Sequence, residues 1–371
     1  MKQRLAIFIS FSGDGGVERM VMNLLREFCR HEIDIDLLTI RAQSRHLQQI
    51  DERIRWLPFK SKHSLTSVPE LAGYLKKHRP AAMLAVKDRA GRAAVLARRI
   101  SGIKTRLAIR LGTNLSAALA HKPSWQRWSR TWPMPLVYRG TDQIIAISRG
   151  VAEDAHRLTG LPMNRIEVIR NPVITDSLAR LAAEPAPHAW LGSDRACPVI
   201  MGAGRLTRQK DFPTLLRAFA LLRRQRSLRL IVLGDGRDRT ALEALAHDLG
   251  IEDDLLLPGF QRNPYHWLAG ADLFVLSSLW EGSGNVLTEA MALGVPVVST
   301  DCPSGPGEML QNGRIAPLVP ISDSNALAEA MESVLLAPPE KHLLYEAVKE
   351  YQVETSALHY LETLGLLPIP A

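Results

Sequence analysis

Short apolar runs alternate along this chain with longer stretches in which apolar residues recur every three or four positions. That is the pattern of buried parallel strands separated by helices that cover both faces of a sheet. In the first half the pattern predicts strands at 5–11, 36–40, 54–57, 82–86, 106–110, 143–147 and 166–169, and in the second half at 198–203, 228–233, 255–257 and 273–277. The first strand runs into Ser12-Gly13-Asp14-Gly15-Gly16 and then a helix over 17–31, with Met20, Val21, Leu24, Leu25 and Phe28 on one face. Further helices are predicted at 68–78, 264–269, 324–336 and beyond Glu340. Periodicity fades in the Pro/Ala-rich stretch 182–197, which reads as a linker between domains 1–181 and 198–350, and the last segment, 351–371, reads as a helix crossing back to the first domain.

Composition agrees with two globular domains. The 371 residues exceed what one core serves, and 46% hydrophobic with 23% charged residues excludes disordered and fibrous classes. No apolar run approaches the roughly 20 residues that cross a bilayer. The apolar N-terminal run is short and ends in the glycine loop, so it reads as a first strand rather than a leader. Cys29, Cys197 and Cys302 are odd in number and far apart, which supports neither a disulfide framework nor a zinc site and fits a reducing cytosol. Charge is uneven: residues 1–180 hold 31 Lys and Arg against 15 Asp and Glu, and residues 181–371 hold 15 against 23. A basic half beside an acidic one points the first half at a polyanion: anionic lipid, a phosphorylated acceptor or nucleic acid.

Candidate chemistry concentrates in 277–301. Glu281 and Glu289 flank Gly282-Ser283-Gly284, a turn from an apolar strand into a helix. Unpaired N–H groups at a helix start hold phosphate, and carboxylates accept hydrogen bonds from neutral hydroxyls. A sugar nucleotide carries both groups. Arg205 and Lys210, in the loop after strand 198–203, supply two cations within reach of one diphosphate. Gly15 and Gly16 let a ligand approach the first helix start, although their spacing departs from GxGxxG. Asp88, Arg89, Arg110, Thr113 and Asn114 stand at strand carboxyl ends, where doubly wound sheets bind ligands, and are candidates for acceptor contact. Trp125, Trp128 and Trp132 share one helical face beside Arg127 and Arg130; such a face suits a lipid headgroup layer or a domain core. No GxxxxGK[ST], HExxH, GxSxG or kinase motif set is present.

The E-x7-E pair at Glu281 and Glu289 with its EAMALGVPVVSTD run, Gly204-Arg205-Leu206, Gln209-Lys210-Asp211, the loop ending in Gly15-Gly16, Ser148 and Asn171-Pro172 occur in an order that resembles retaining nucleotide-sugar glycosyltransferases of family 4 over nearly the whole chain. The resemblance implies an α/β GT-B fold, two facing Rossmann-like domains with parallel sheets and an inter-domain cleft. It assigns Arg205 and Lys210 to the donor diphosphate and Glu281 to the sugar hydroxyls. Gly204, Gly284, Asn285 and Val286 fall to sugar and phosphate, and Glu289 to the ribose. It implies no metal or other cofactor, because two cations and a helix start serve as the charge sink for departing UDP. Relatives often carry a His where this chain has Arg110-Leu111-Gly112, so His121 becomes a candidate substitute. The run Asp301-Cys302-Pro303-Ser304-Gly305-Pro306-Gly307-Glu308 is similar to the subgroup acting on lipid-linked oligosaccharides and bacterial surface polysaccharides. The expectation is transfer of a hexose or N-acetylhexosamine from a UDP-sugar to a membrane-associated glycan in lipopolysaccharide, capsule or lipid-linked oligosaccharide synthesis. The enzyme would act in the cytoplasm, against the anionic inner face of the membrane. A nucleotide-sugar 2-epimerase is the alternative enzyme class. A nucleic-acid partner is not expected, since the recognised modules and exposed aromatic clusters of such domains are absent.

Overall fold

The computed structural model describes residues 2–11, 13 and 15–367, so Ser12 and Asp14 of the glycine loop lie outside it. The described residues form two parallel sheets. The first contains β1 (Gln3–Phe11), β2 (Ile33–Ala42), β3 (Ile54–Pro58), β4 (Ala82–Val86), β5 (Arg106–Leu111), β6 (Gln143–Ala146) and β7 (Ile166–Val168), in the order β3-β2-β1-β4-β5-β6-β7. The second contains β8 (Val199–Ala203), β9 (Arg229–Leu233), β10 (Leu255–Leu256), β11 (Leu273–Leu276), β12 (Val297–Thr300) and β13 (Leu318–Val319), in the order β10-β9-β8-β11-β12-β13. This is the two-sheet α/β architecture that the alternating pattern predicts.

Each strand is apolar because each sheet is covered on both sides. All five residues of β4 and of β8 are buried. Along β1, Leu5, Ile7 and Ile9 enter one cluster with Leu24 and Phe28 of the helix Gly16–Phe28, while Ala6 and Phe8 enter the opposite cluster with Leu71, Leu75 and Ala93. β2 begins ahead of the predicted 36–40 because its acids are neutralised in place: Arg4 pairs with Asp34 at 3.2 Å, and buried Asp36 accepts from Arg55 and from the Tyr74 hydroxyl at 2.6 Å. Two acids made the strand's start look polar.

Contact density divides the chain into one unit of 1–173 with 351–371 and another of 174–350. The stretch 182–197, read as a linker from its composition, lies inside the second unit. It is packed there: Arg195 Nη2 donates to Asp272 Oδ1 at 2.6 Å, and the Arg229 guanidinium lies 4.8 Å over the Trp190 ring. The helix Val353–Thr363 returns to the first unit, where Ala357, Tyr360 and Leu361 pack with Leu5 and Ile7, and the Ser356 hydroxyl donates to Arg170 O at 3.0 Å. No helix among the described residues is long and apolar enough to cross a membrane.

In the second unit the loops leaving β8 and β9 meet backbone to backbone. Gly204 N donates to Leu233 O and Leu206 N to Asp235 O, both at 2.9 Å. A Cβ on Gly234, whose φ is 125°, would stand 1.9 Å from Gly204 O. Gly234→Ala is therefore expected to destabilise the protein by about 2–4 kcal/mol through strain and forced separation of the loops. Gly250→Ala, at φ 65° with nothing within 4 Å, should cost only about 1 kcal/mol. Urea midpoints of the two variants compare them directly, and equal shifts would refute the loop contact.

Candidate active site

In the second sheet the strand order reverses between β8 and β11, the place where open parallel sheets bind ligands at their carboxyl ends. Lys210 comes from the loop after β8 and Glu281 from the loop after β11. Lys210 Nζ donates to Glu281 Oε1 at 2.6 Å, and the Ser278 hydroxyl donates to the same oxygen at 2.7 Å. Glu281 Oε2 has no protein partner among the described residues, and Nζ keeps two donors unused. The Lys210 stem lies on Gly204, where a Cβ would come within 2.7 Å of Lys210 Cε. Three further bonds lock the loops together: Ser277 Oγ to Lys210 O at 2.7 Å, Gln209 Nε2 to Trp280 O at 2.9 Å, and Thr300 Oγ1 to Ser278 O at 2.6 Å. Arg205, in the same loop as Lys210, is exposed.

Gly284, in the left-handed conformation at φ 81°, turns the chain into the helix Asn285–Ala292 with no side chain capping its start. No side chain competes for the first N–H groups of that helix, whose dipole favours an anion at this end. Glu289 is buried one turn further in. Ser283, which the sequence did not single out, holds a buried hydroxyl without a partner among the described residues. Burial pushes the Cys302 thiol up to about 12, with the Glu281 carboxylate adding to the shift, so this neighbour stays neutral. Burial likewise raises the Asp211 carboxyl, against the bond that the Thr214 hydroxyl donates to it at 2.8 Å. Together these groups offer a flexible cation, a helix start without a side-chain cap and a fixed carboxylate oxygen, which suit a diphosphate joined to a polyol.

In the first sheet the order reverses between β1 and β4. Gly15 is the N-cap of Gly16–Phe28 and has no side-chain cap bond, and both glycines are exposed. Beneath them Lys87 Nζ donates to buried Glu18 Oε1 at 2.8 Å, a pair that sequence reasoning missed because its members lie 69 positions apart. The acceptor candidates separate into two groups. Arg89, Thr113 and His121 face solvent. Asp88 is occupied by the Tyr138 hydroxyl at 2.8 Å and Arg92 Nε at 2.9 Å, and Asn114 Oδ1 caps Ala117 N at 2.9 Å. Arg110, placed with the acceptor contacts on sequence grounds, is instead 1% exposed. It donates to Asn171 Oδ1 at 2.7 Å and stands beside the Tyr360 phenol, which burial pushes up and this guanidinium pulls down. It ties β5 to Asn171, after β7, rather than facing an acceptor. Trp125, Trp128 and Trp132 are exposed on the helix Ser124–Thr131 and the residue after it, which excludes the core reading of that face.

Comparison with known proteins matches residues 15–172 to a family model described as a glycosyl transferase 4-like domain, and residues 191–351 to one described as glycosyl transferases group 1. The N-acetylgalactosamine-N,N'-diacetylbacillosaminyl-diphospho-undecaprenol 4-alpha-N-acetylgalactosaminyltransferase of Campylobacter jejuni is 28% identical over 351 residues, 90% of each chain. The lipopolysaccharide core biosynthesis glycosyltransferase LpsE of Rhizobium meliloti is 36% identical over 206 residues, 55% of this chain and 57% of that protein. Among solved structures, Anabaena Alr3699/HepE in complex with UDP superposes with a TM-score of 0.80 at 20% identity, covering 99% of this chain and 100% of that one. The fold is thus GT-B.

The Lys210–Glu281 pair carries a stability consequence. Glu281→Ala strands a mostly buried ammonium and should cost about 3 kcal/mol. In a double-mutant cycle with Lys210→Ala, urea unfolding should give a coupling of about 1–3 kcal/mol. Additive costs would mean that the pair does not hold the two loops.

Proposed function

We propose that this chain, a glycosyltransferase by its two matched domains, moves a hexose or N-acetylhexosamine from a UDP-sugar to a membrane-borne, phosphate-bearing glycan, with retention of anomeric configuration and without a metal. The observation that carries the donor reading is the meeting of Lys210 and Glu281 at the β8/β11 reversal, with the helix Asn285–Ala292 starting four residues after Glu281 without a side-chain cap. The names of relatives that act in lipopolysaccharide core synthesis and on diphospho-undecaprenol support the acceptor class.

In this reading Arg205 and the two unused donors of Lys210 take the diphosphate, and the backbone of Gly284, Asn285 and Val286 holds its oxygens and the sugar. Glu281 Oε2 accepts from a sugar hydroxyl, and Glu289 from the ribose hydroxyls. Gly204 lets the Lys210 stem lie close to the sheet edge. The acceptor oxygen attacks the anomeric carbon on the face from which UDP departs. The bond from that carbon to the β-phosphate oxygen breaks, and the departing phosphate takes the acceptor's proton. Lys210 and the helix start stabilise the charge gathering on UDP, so they act more strongly in the transition state than on the bound donor. Gly15 and Gly16 give the first unit an anion-binding helix start of its own, and Arg89, Thr113 and His121 are its solvent-facing acceptor contacts. The enzyme works in the cytoplasm at an anionic membrane surface.

A panel of UDP-sugars with a membrane-lipid extract tests this. One donor should be consumed with UDP released in step with glycan formed, and EDTA should leave the rate unchanged. Lys210→Ala should lower kcat by about 10²-fold or more, whereas Glu289→Ala should chiefly raise the donor KM. Consumption of no donor would sink the reading, and an epimerised sugar formed without acceptor would replace it with epimerase chemistry.

A further inference from the structure

The end of the helix Asp88–Ser101 and the starts of β5, β6 and β7 surround one open groove of about 1140 Å³ in the first unit. It lies at the amino edge of the sheet, since Arg106 and Gln143 are the first residues of β5 and β6 and Arg165 directly precedes β7. The loops of the candidate active site leave the sheets at their carboxyl edges, so the groove is a separate feature. Its cations are Arg98, Arg99, Lys104, Arg106, Arg139 and Arg165, against the single carboxylate of Asp142.

That carboxylate is already committed, because Asp142 Oδ2 accepts from Arg98 and from Leu107 N at 2.7 Å. Arg98 also donates to Thr105 O at 2.8 Å and Gly140 O at 2.7 Å, and Arg165 Nε donates to Asp142 O at 3.2 Å. These bonds fix the walls. Arg99, Lys104, Arg106 and Arg139 are exposed and have no carboxylate partner among the described residues. Free cations around one concavity concentrate positive potential and draw in a multiply charged or phosphate anion.

One rim of the groove is apolar. Leu136 lines it and is 62% exposed; Trp132, Trp128 and Trp125, four, eight and eleven residues earlier and outside the groove's lining, are 50%, 64% and 68% exposed. The rings of Trp128 and Trp132 stack with centroids 5.6 Å apart. A dissolved polyanion such as nucleic acid would leave this series in water. A bilayer accepts both parts, because indoles and leucine settle in the interfacial layer while cations meet the phosphates.

We propose that this groove holds the phosphodiester headgroup of an anionic phospholipid, with the Trp125, Trp128, Trp132 and Leu136 series inserted beside it, so that the first unit docks on the bilayer through the amino edge of its sheet. The inference rests on the reading of a membrane-borne acceptor, and it adds which surface meets the membrane and what chemistry the contact selects. The test is co-sedimentation of the full chain with phosphatidylcholine vesicles, with and without phosphatidylglycerol. Wild-type protein should bind only the anionic vesicles. The triple variant Arg99→Glu, Lys104→Glu, Arg139→Glu should bind at least about tenfold more weakly. A milder triple change of the same residues to Gln, read alongside it, guards against misfolding and should fall between the two.

A control with the same net charge, Lys62→Glu, Arg224→Glu, Lys341→Glu, changes exposed residues outside the groove and should bind within a small factor of wild type. Groove variants that bind like wild type, or a control that loses as much, would overturn the proposal. So would displacement of the protein from vesicles by inorganic phosphate at equal phosphate concentration, which would make this a site for free phosphate. UDP release from the donor, measured on the same proteins in detergent, should be unchanged. Its failure in wild type would count against the donor reading alone, and failure of vesicle binding against the groove alone.

Discussion

Each unit is organised around a lysine–glutamate pair that bridges the two loops where strand order reverses. In the second unit Lys210 after β8 meets Glu281 after β11 at 2.6 Å, and in the first Lys87 after β4 meets Glu18 after β1 at 2.8 Å. At that point two neighbouring strands send their connections away in opposite directions, so the backbone alone leaves a gap. A charge placed there out of bulk water must find its opposite, because an unpaired buried ion costs several kcal/mol. The pair therefore joins the two connections across that gap. In the second unit it leaves two Lys210 donors and Glu281 Oε2 without a protein partner among the described residues.

That arrangement explains why the surrounding residues are small or hydroxylic. Ser277, Ser278 and Thr300 direct their hydroxyls into the loop backbones and the carboxylate. Gly204 makes room for the Lys210 stem, and Gly234 for the carbonyl of Gly204 itself. Bulk at any of these positions would move the lysine relative to the glutamate, and a shift of about 1 Å in a charge-stabilising group can cost 10²-fold in rate. The rigidity of the second sheet's carboxyl edge thus belongs to the chemistry as much as to the fold.

Much of this was legible in the sequence, for a physical reason: strands buried on both faces must be apolar throughout. The ends predicted for 82–86, 68–78 and 324–336 coincide with Ala82–Val86, Val68–His78 and Ser324–Leu336. β12 and β13 were not read as strands, although β11 and β10, of the same four and two residues, were. Glu281 and Lys210 could be named from their motifs, but their direct bond could not, because contact across 71 positions is set by the sheet order. Charged residues at strand ends misled in the opposite direction. Arg110 and Asp88 look like ligand contacts in sequence, yet they are spent on Asn171 and on Tyr138 and Arg92. The i, i+3, i+7 spacing of the tryptophans fixed a shared face without fixing whether that face turned inward.

The basic character of residues 1–180 takes on a different meaning once the pairs are removed. Arg4, Arg53, Arg55, Arg92, Arg98 and Arg157 are balanced locally by Asp34, Asp51, Asp36, Asp88, Asp142 and Asp154. Such pairs cancel at a distance of a few ångströms and contribute little field beyond a Debye length. The surplus that a distant anion would feel includes the four cations about the amino-edge groove. Net charge by itself named only a polyanion; the proposed contact with a lipid surface stands on the position of the unpaired part, beside the exposed Leu136.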